Sequence, residues 1–213
     1  MNENWDDFLR FSSKLGIDLD QSQLELFENY RAVILEWNKR VNLVSRKDQH
    51  RLVGYHFVDS LASLSLLPRE GIVCDLGSGA GLPGIPLKIA RNALALHLVE
   101  SVQKKCRFLE TAVSFLGLKN AVVVHRRAED IDALQVDVVV ARLVGTVKDL
   151  VPVAFRLLRP GCRLLVYKTA SAEEEIKQAQ KVLIRHNGRV ETIRSIPLPG
   201  TDIVRKIVSI IKS

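Results

Sequence analysis

The chain has 213 residues, of which 47% are hydrophobic and 26% charged, proportions that suit a soluble globular body with a sizeable core and exclude global disorder. Its net charge of +7 is uneven: residues 1–70 carry 9 Lys/Arg against 11 Asp/Glu, and the remainder carries 22 against 13. The basic excess on the larger part suits a polyanionic partner such as nucleic acid, and equally suits an ordinary cationic surface.

The first residues, Met-Asn-Glu-Asn-Trp-Asp-Asp, lack the basic and apolar regions of a secretory signal. No apolar run approaches the ~20 residues a membrane helix needs. Cys74, Cys106 and Cys162 are far apart, which fits reduced thiols, argues against a disulfide framework, and offers no cysteine-based metal site. The expectation is a cytoplasmic protein without metal or membrane, acting as a monomer.

Residues 1–68 read as a helical segment packed on the body formed by residues 69–213. Leu24, Phe27, Tyr30 and Ile34 recur at three- and four-residue intervals, with Asp20 placed to cap the helix. His56, Phe57, Leu61, Leu64 and Leu67 predict a further helix stopped by Pro68.

From Gly71 the pattern changes to alternation. Short β-branched runs at Ile72–Leu76, Leu94–Val99, Ala121–His125, Val136–Ala141 and Arg163–Lys168 are separated by helix-like stretches near 84–91, 102–116, 146–158 and 171–186. Such alternation predicts a mostly parallel sheet covered on both faces. Val190–Ile196 and Ile203–Ile211 are joined by a short Pro/Gly link with no helix between, and so should form an antiparallel hairpin. An α/β fold ending in such a hairpin is the class I S-adenosylmethionine-dependent methyltransferase layout, Rossmann-like and preceded here by a helical extension.

The run Asp75-Leu-Gly77-Ser-Gly79-Ala-Gly81-Leu82-Pro-Gly84 takes a buried strand through glycines into a helix. Glycines serve where backbone must lie against a ligand or take positive φ, and the helix start offers free N–H groups. Gly79-x-Gly81-x-x-Gly84 also satisfies the dinucleotide pattern. Asp75 separates the two readings, because a carboxylate beside the loop opposes a pyrophosphate but suits the ammonium of a methionine moiety, directly or through water. Glu100 ends the next strand, where an acid can accept both hydroxyls of a ribose. Both acids could instead cap the helices after their strands. Arg127-Ala128-Glu129-Asp130 follows the third strand at the edge where open α/β sheets bind ligands; an acid or an N–H there could hold an adenine, or merely begin a helix.

These residues resemble the RsmG (GidB) family, bacterial 16S rRNA guanine-N7 methyltransferases. The resemblance lies in Asp75 through Leu87, Trp37-Asn38 with Asn42-Leu43, His56 with Asp59-Ser60-Leu61, Lys105 through Leu109, Leu157 through Gly161, and Leu198-Pro199-Gly200 with Arg205. It implies an S-adenosylmethionine cofactor held by Gly77, Gly79, Leu82, Glu100 with its neighbour Ser101, Ala128, Glu129 and Arg142. It implies 16S rRNA or the small ribosomal subunit as partner, with Arg127, Lys168 and Arg205 on RNA and Arg142 and Lys168 serving catalysis. The chain departs from the family at Ala141-Arg142-Leu143, at Lys168-Thr169 and at Cys162.

Guanine N7 carries a lone pair and no proton, so its methylation needs no general base. Arg142, ending a strand at the ligand edge, is expected to stack on the guanine or bond O6, with Lys168 and Arg205 on phosphates. His56 reads as a packing histidine. The rival readings are a methyltransferase acting on another RNA, a protein or a small molecule, a dinucleotide-dependent oxidoreductase, and a ribosome-binding protein with a vestigial cofactor site.

Overall fold

The computed structural model describes residues 5–132 and 134–213. Helix α1 spans Trp5–Lys14 and α2 spans Gln21–Asn38. Asp20 does cap α2: its carboxylate accepts from Gln23 N at 2.8 Å while the Gln23 side chain accepts from Asp20 N at 2.9 Å. The reciprocal bonds satisfy two donors that a helix start leaves free. Phe27, Tyr30 and Ile34 form the buried face of α2. Phe8 of α1 packs edge-on against Phe27, and Phe57 stacks on Tyr30.

The helix predicted from His56 to Leu67 is broken. A wide π-type turn over Leu52–Phe57 runs into α3 (Val58–Leu61), then a 3-10 turn over Leu64–Leu66. Buried hydroxyls compete with the regular ladder here. Ser60 Oγ donates back to His56 O at 2.6 Å, and Tyr167 Oη donates to Ser60 O at 2.7 Å. The irregular winding carries His56 and Asp59 together toward Arg142, at the far end of the sheet.

Seven strands form one sheet: β1 (Gly71–Leu76), β2 (Leu94–Glu100), β3 (Ala121–His125), β4 (Val136–Arg142), β5 (Leu158–Lys168), β6 (Gly188–Pro197) and β7 (Val204–Lys212). Their spatial order is β3-β2-β1-β4-β5-β7-β6, parallel as far as β5, with β7 antiparallel to both its neighbours. The fifth strand starts earlier than expected, because Leu158 pairs with Val136 and Arg159 holds Asp137 at 2.5 Å. Helices α4 (Gly84–Ala90), α5 (Gln103–Phe115), α6 (Val147–Leu157) and α7 (Ala172–Arg185) connect the strands.

Side chains alternate across a strand, so β4 feeds two cores. Val138 and Val140 join the core that holds Phe8, Phe27, Ile85 and Phe108; Val139 and Ala141 join the one that holds Val151, Phe155 and Leu183. The N-terminal helices thus share a single core with α4 and α5, while α6 and α7 cover the opposite face.

Register decides where chemistry can occur. Leu76 pairs with Val99 of β2 on one side and with Ala141 of β4 on the other. Gly77, Glu100 and Arg142 therefore leave three adjacent strands at one level. The chain runs outward through β2 and β3, then returns to β4 on the other side of β1, opening a crevice at the carboxyl edge.

Candidate active site

The loop after β1 takes a shape that requires its glycines. Gly77 has φ +67°, and a Cβ there would fall 2.6 Å from Val144 Cγ2. Gly81 has φ +80°, and a Cβ would fall 2.9 Å from Tyr30 Oη. Tyr30 Oη donates to Ala80 O, so α2 grips the loop from beneath.

Asp75 lies in β1, two residues before Gly77. It is fully buried under the loop, lines neither of the cavities described below, and its Oδ2 accepts the first N–H of α4, from Gly84, at 2.9 Å. Burial pushes its pKa up to about 7. Its Oδ2 ties the loop to the start of α4, while its Oδ1 is buried without a partner.

A cavity of about 380 Å³ opens at the crevice, lined by Gly77, Glu100, Ser101, Arg127, Ala128 and Glu129, all anticipated from the sequence. Glu100 is its hub. Oε1 accepts from Ser101 N and Val102 N, each at 2.8 Å, and Oε2 accepts from Gly79 N at 3.0 Å. One carboxylate thus joins the end of β2 to the glycine loop and keeps lone pairs for a ligand. The turn Ala128–Asp130 is fixed by Arg156 Nη2, which donates to Glu129 O at 2.7 Å. Ala128, Leu150 and Val153 supply an apolar flank. A nucleoside fits this donor set: a carboxylate for two ribose hydroxyls, backbone and apolar walls for a flat ring.

A second cavity of about 280 Å³ adjoins the first, and Gly77 and Val144 line both. Gly79 and Leu82 lie on this second one, with Ser45, Asp48, His56, Lys105 and Arg142. Arg142, 7% exposed, donates from Nη1 to Asp59 Oδ2 at 3.0 Å and lies 3.4 Å from His56 Nδ1; its Nε has no partner. Arg142 is absent from the first cavity, so the structure places it toward the second. Leu143, beside it, has φ +60° and is 83% exposed on the rim. A leucine held in the left-handed region costs of order 1–3 kcal/mol, and such strain concentrates at working sites.

The other basic residues divide. Arg127 is exposed at the first cavity, as an RNA contact would be. Arg205 corrects the expectation of a phosphate contact: it is 4% exposed and donates from Nε and Nη2 to both oxygens of Asp59, at 2.6 and 3.0 Å. Lys168 is likewise engaged internally, with Glu175 at 2.7 Å and Gly145 O at 2.8 Å. It pins the loop that carries Leu143 and Val144, instead of reaching for phosphate.

Sequence reasoning misses Ser45, Asp48, Lys105 and Val144 as lining residues and reads His56 as a packing histidine. The motifs around Asn42 and His56 were visible, but nothing in their spacing brings them to Arg142. Among the described residues, no group of three His, Cys, Asp or Glu could hold a metal, and no helix is long and apolar enough to cross a membrane.

A doubly wound sheet closed by an antiparallel hairpin, with a nucleoside-sized cavity at its glycine loop, defines a class I S-adenosylmethionine-dependent methyltransferase. The TYW2 structures of P. horikoshii, in complex with MeSAdo, and of M. jannaschii, in complex with AdoMet, share the fold. The first has a TM-score of 0.61 at 12% identity over 73% of this chain, which spans 62% of that protein. The second has a TM-score of 0.61 at 12% identity, covering 82% of this chain and 80% of the other. The profile of the rRNA small subunit methyltransferase G family, GidB, matches residues 23–204. A ribosomal RNA small subunit methyltransferase G from Roseiflexus castenholzii is 39% identical, over 97% of this chain and 91% of its own length. The chain belongs to that family.

Proposed function

We propose that this protein transfers the methyl group of S-adenosylmethionine to N7 of a guanine in the 16S rRNA of the small ribosomal subunit, acting as a cytoplasmic monomer. The observation that carries the reading is the pair of cavities meeting at Gly77 and Val144, one shaped for a nucleoside, the other walled by Arg142. An oxidoreductase would need pyrophosphate beside the loop, where the Glu100 carboxylate already accepts from Gly79 N.

Glu100 would accept the ribose hydroxyls, and the 128–129 turn with Leu150 and Val153 would hold the adenine. The cofactor supplies an electrophilic methyl on sulfonium. Gly77, on the boundary that the two cavities share, lacks a Cβ and so lets the Val144 side chain pack against its backbone. Because N7 has no proton to lose, the chain's task is alignment, which can supply roughly 7–11 kcal/mol of a barrier. Arg142, a permanent cation, cannot accept a proton; it orients the base by donation. Arg127 holds backbone phosphate.

The test is transfer of tritiated methyl to small-subunit particles from cells lacking this gene, alongside wild-type particles. We expect 7-methylguanine only in the undermethylated particles, and none with Glu100→Ala. S-Adenosylmethionine binding without incorporation would sink the substrate assignment and keep the fold.

A further inference from the structure

Both purines offer N7 to a methyl donor, so methylating guanine alone requires reading the rest of the ring. Guanine carries an acceptor, O6, beside N7, and donors at N1 and the exocyclic amine. Adenine carries a donor amine beside N7 and a bare N1. A guanine-selective cavity therefore needs N–H groups near N7 and an acceptor across the ring.

The second cavity holds both. Arg142 Nε and His56 Nε2 are buried and have no hydrogen-bond partner. His56 Nδ1 lies 3.4 Å from Arg142 Nη1, which can only donate, so Nδ1 accepts and the ring proton sits on Nε2. Burial and the Arg142 charge keep this imidazole neutral, lowering its pKa to about 4. These two unpaired donors belong to residues that line one cavity, where a ligand acceptor would satisfy them. Asp48 is the one carboxylate on the lining among the described residues. Its Oδ2 accepts from Ser45 Oγ at 2.5 Å and its Oδ1 faces Arg51 at 3.8 Å, which fixes the group while leaving lone pairs.

We propose that Asp48, His56 and Arg142 form a guanine-reading site in which Arg142 Nε and His56 Nε2 donate to O6 and Asp48 accepts from N1–H and the exocyclic amine. The inference rests on guanine-N7 methylation as the reaction. Adenine in the same pose would set its amine against two N–H groups and leave Asp48 unanswered, a mismatch of buried polar groups of the kind that gives large discrimination. His56 is then more than a packing residue: the wide turn over Leu52–Phe57 carries it beside Arg142.

The probes are guanosine, inosine and adenosine monophosphates, the second lacking only the exocyclic amine. Binding to the full protein saturated with S-adenosylhomocysteine is measured by saturation-transfer NMR, beside kcat and KM on undermethylated particles and the melting temperature. We expect the parent to prefer guanosine over inosine over adenosine monophosphate. Asp48→Asn should erase the guanosine-over-inosine preference and lower kcat/KM about ten- to hundredfold, with S-adenosylhomocysteine affinity unchanged. His56→Phe should shrink the preference over adenosine instead. A purely structural Asp48 would lower the melting temperature and leave the ranking intact, which would overturn the proposal. So would a parent that ranks the three nucleotides equally or binds none. If the parent methylates particles and either result appears, the reading site alone falls; if it methylates no rRNA, the proposed function falls first and takes the site with it.

Discussion

The two cavities differ in how they are made. The first comes from the ends of β1, β2 and β3 and from α6, all within residues 76–153; its hub, Glu100, is bonded to residues next to it or in the adjoining loop. The second takes Ser45, Asp48 and His56 from the N-terminal helical segment, Lys105 from α5 and Arg142 from β4. The first is built from a loop and strand ends that any class I methyltransferase could share. The second needs the N-terminal segment docked beside that loop, and it is where the proposed reading of the substrate would take place. A cofactor site can be general; a target site has to be assembled from what makes the chain particular.

Asp59 is the joint between the regions, and the largest effect is expected there. Its carboxylate, fully buried, holds Arg142 and Arg205 at once. Asp59→Ala strands two guanidinium groups without a counter-charge and should cost about 3–5 kcal/mol, read as a lowered denaturant midpoint. If the comparison is right, surviving folded protein would still bind S-adenosylmethionine at near-parent affinity while losing methyl transfer. Equal loss of both would erase the distinction between the cavities.

Glu100→Ala is the converse. Removing its carboxylate deletes acceptors for three backbone N–H groups as well as the proposed ribose contacts, so calorimetry should show S-adenosylmethionine binding at least about a hundredfold weaker. The nucleotide preference of the second cavity should survive. A stronger effect on nucleotide ranking than on cofactor affinity would reverse the roles assigned here.

The sequence carries the first region far better than the second, for physical reasons. Strand-end acids, glycines and helix starts are local features: Glu100 and Ala128 are recognisable because the residues beside them announce a strand end. Asp59, by contrast, meets Arg142 and Arg205 across 83 and 146 residues, a pairing without local trace. A basic residue near a ligand edge, such as Arg205 or Lys168, looks the same in the sequence whether its partner is solvent, RNA or a buried carboxylate. Asp75 is a related case: its position beside the loop is legible, but not which way each of its carboxylate oxygens faces. The broken helix at residues 52–66 followed from side-chain hydroxyls finding tertiary partners, Tyr167 among them, which periodicity alone does not encode.

A pH series separates two buried groups, His56 on the second cavity and Asp75 beneath the glycine loop. His56, lowered to about 4, stays neutral in the fold while its unfolded counterpart takes a proton below about 6.5, so its share of stability falls as pH drops from 6.5 toward 4. Asp75, raised to about 7, holds a proton that the unfolded chain releases above about 4, so its share falls as pH rises from 4 toward 7. The two slopes, each roughly 1.4 kcal/mol per pH unit at most, oppose one another across the same window. Relative to the parent, Asp75→Asn should therefore gain stability steadily from pH 4 to 7, and His56→Phe should lose it from pH 4 to 6.5. Urea midpoints at four pH values decide it. Parallel curves for parent and variants would mean that neither group is held as the structure holds it.

The smallest effect belongs to Arg127, which lines the first cavity and is exposed. If it holds cofactor, Arg127→Ala should weaken S-adenosylmethionine binding and leave the salt dependence of particle binding alone. If it holds a phosphate, cofactor affinity should stay within about twofold of the parent, since an exposed charge adds little across water. The slope of log affinity for particles against log salt should then shrink by about one, because a phosphate contact releases roughly one counterion. We expect the second result. It would place RNA across the mouth of the cofactor cavity, so that the general half of the site also reads the polyanion, though not the base. The first would confine RNA contact to the half built with the N-terminal segment and make the division between the two regions complete.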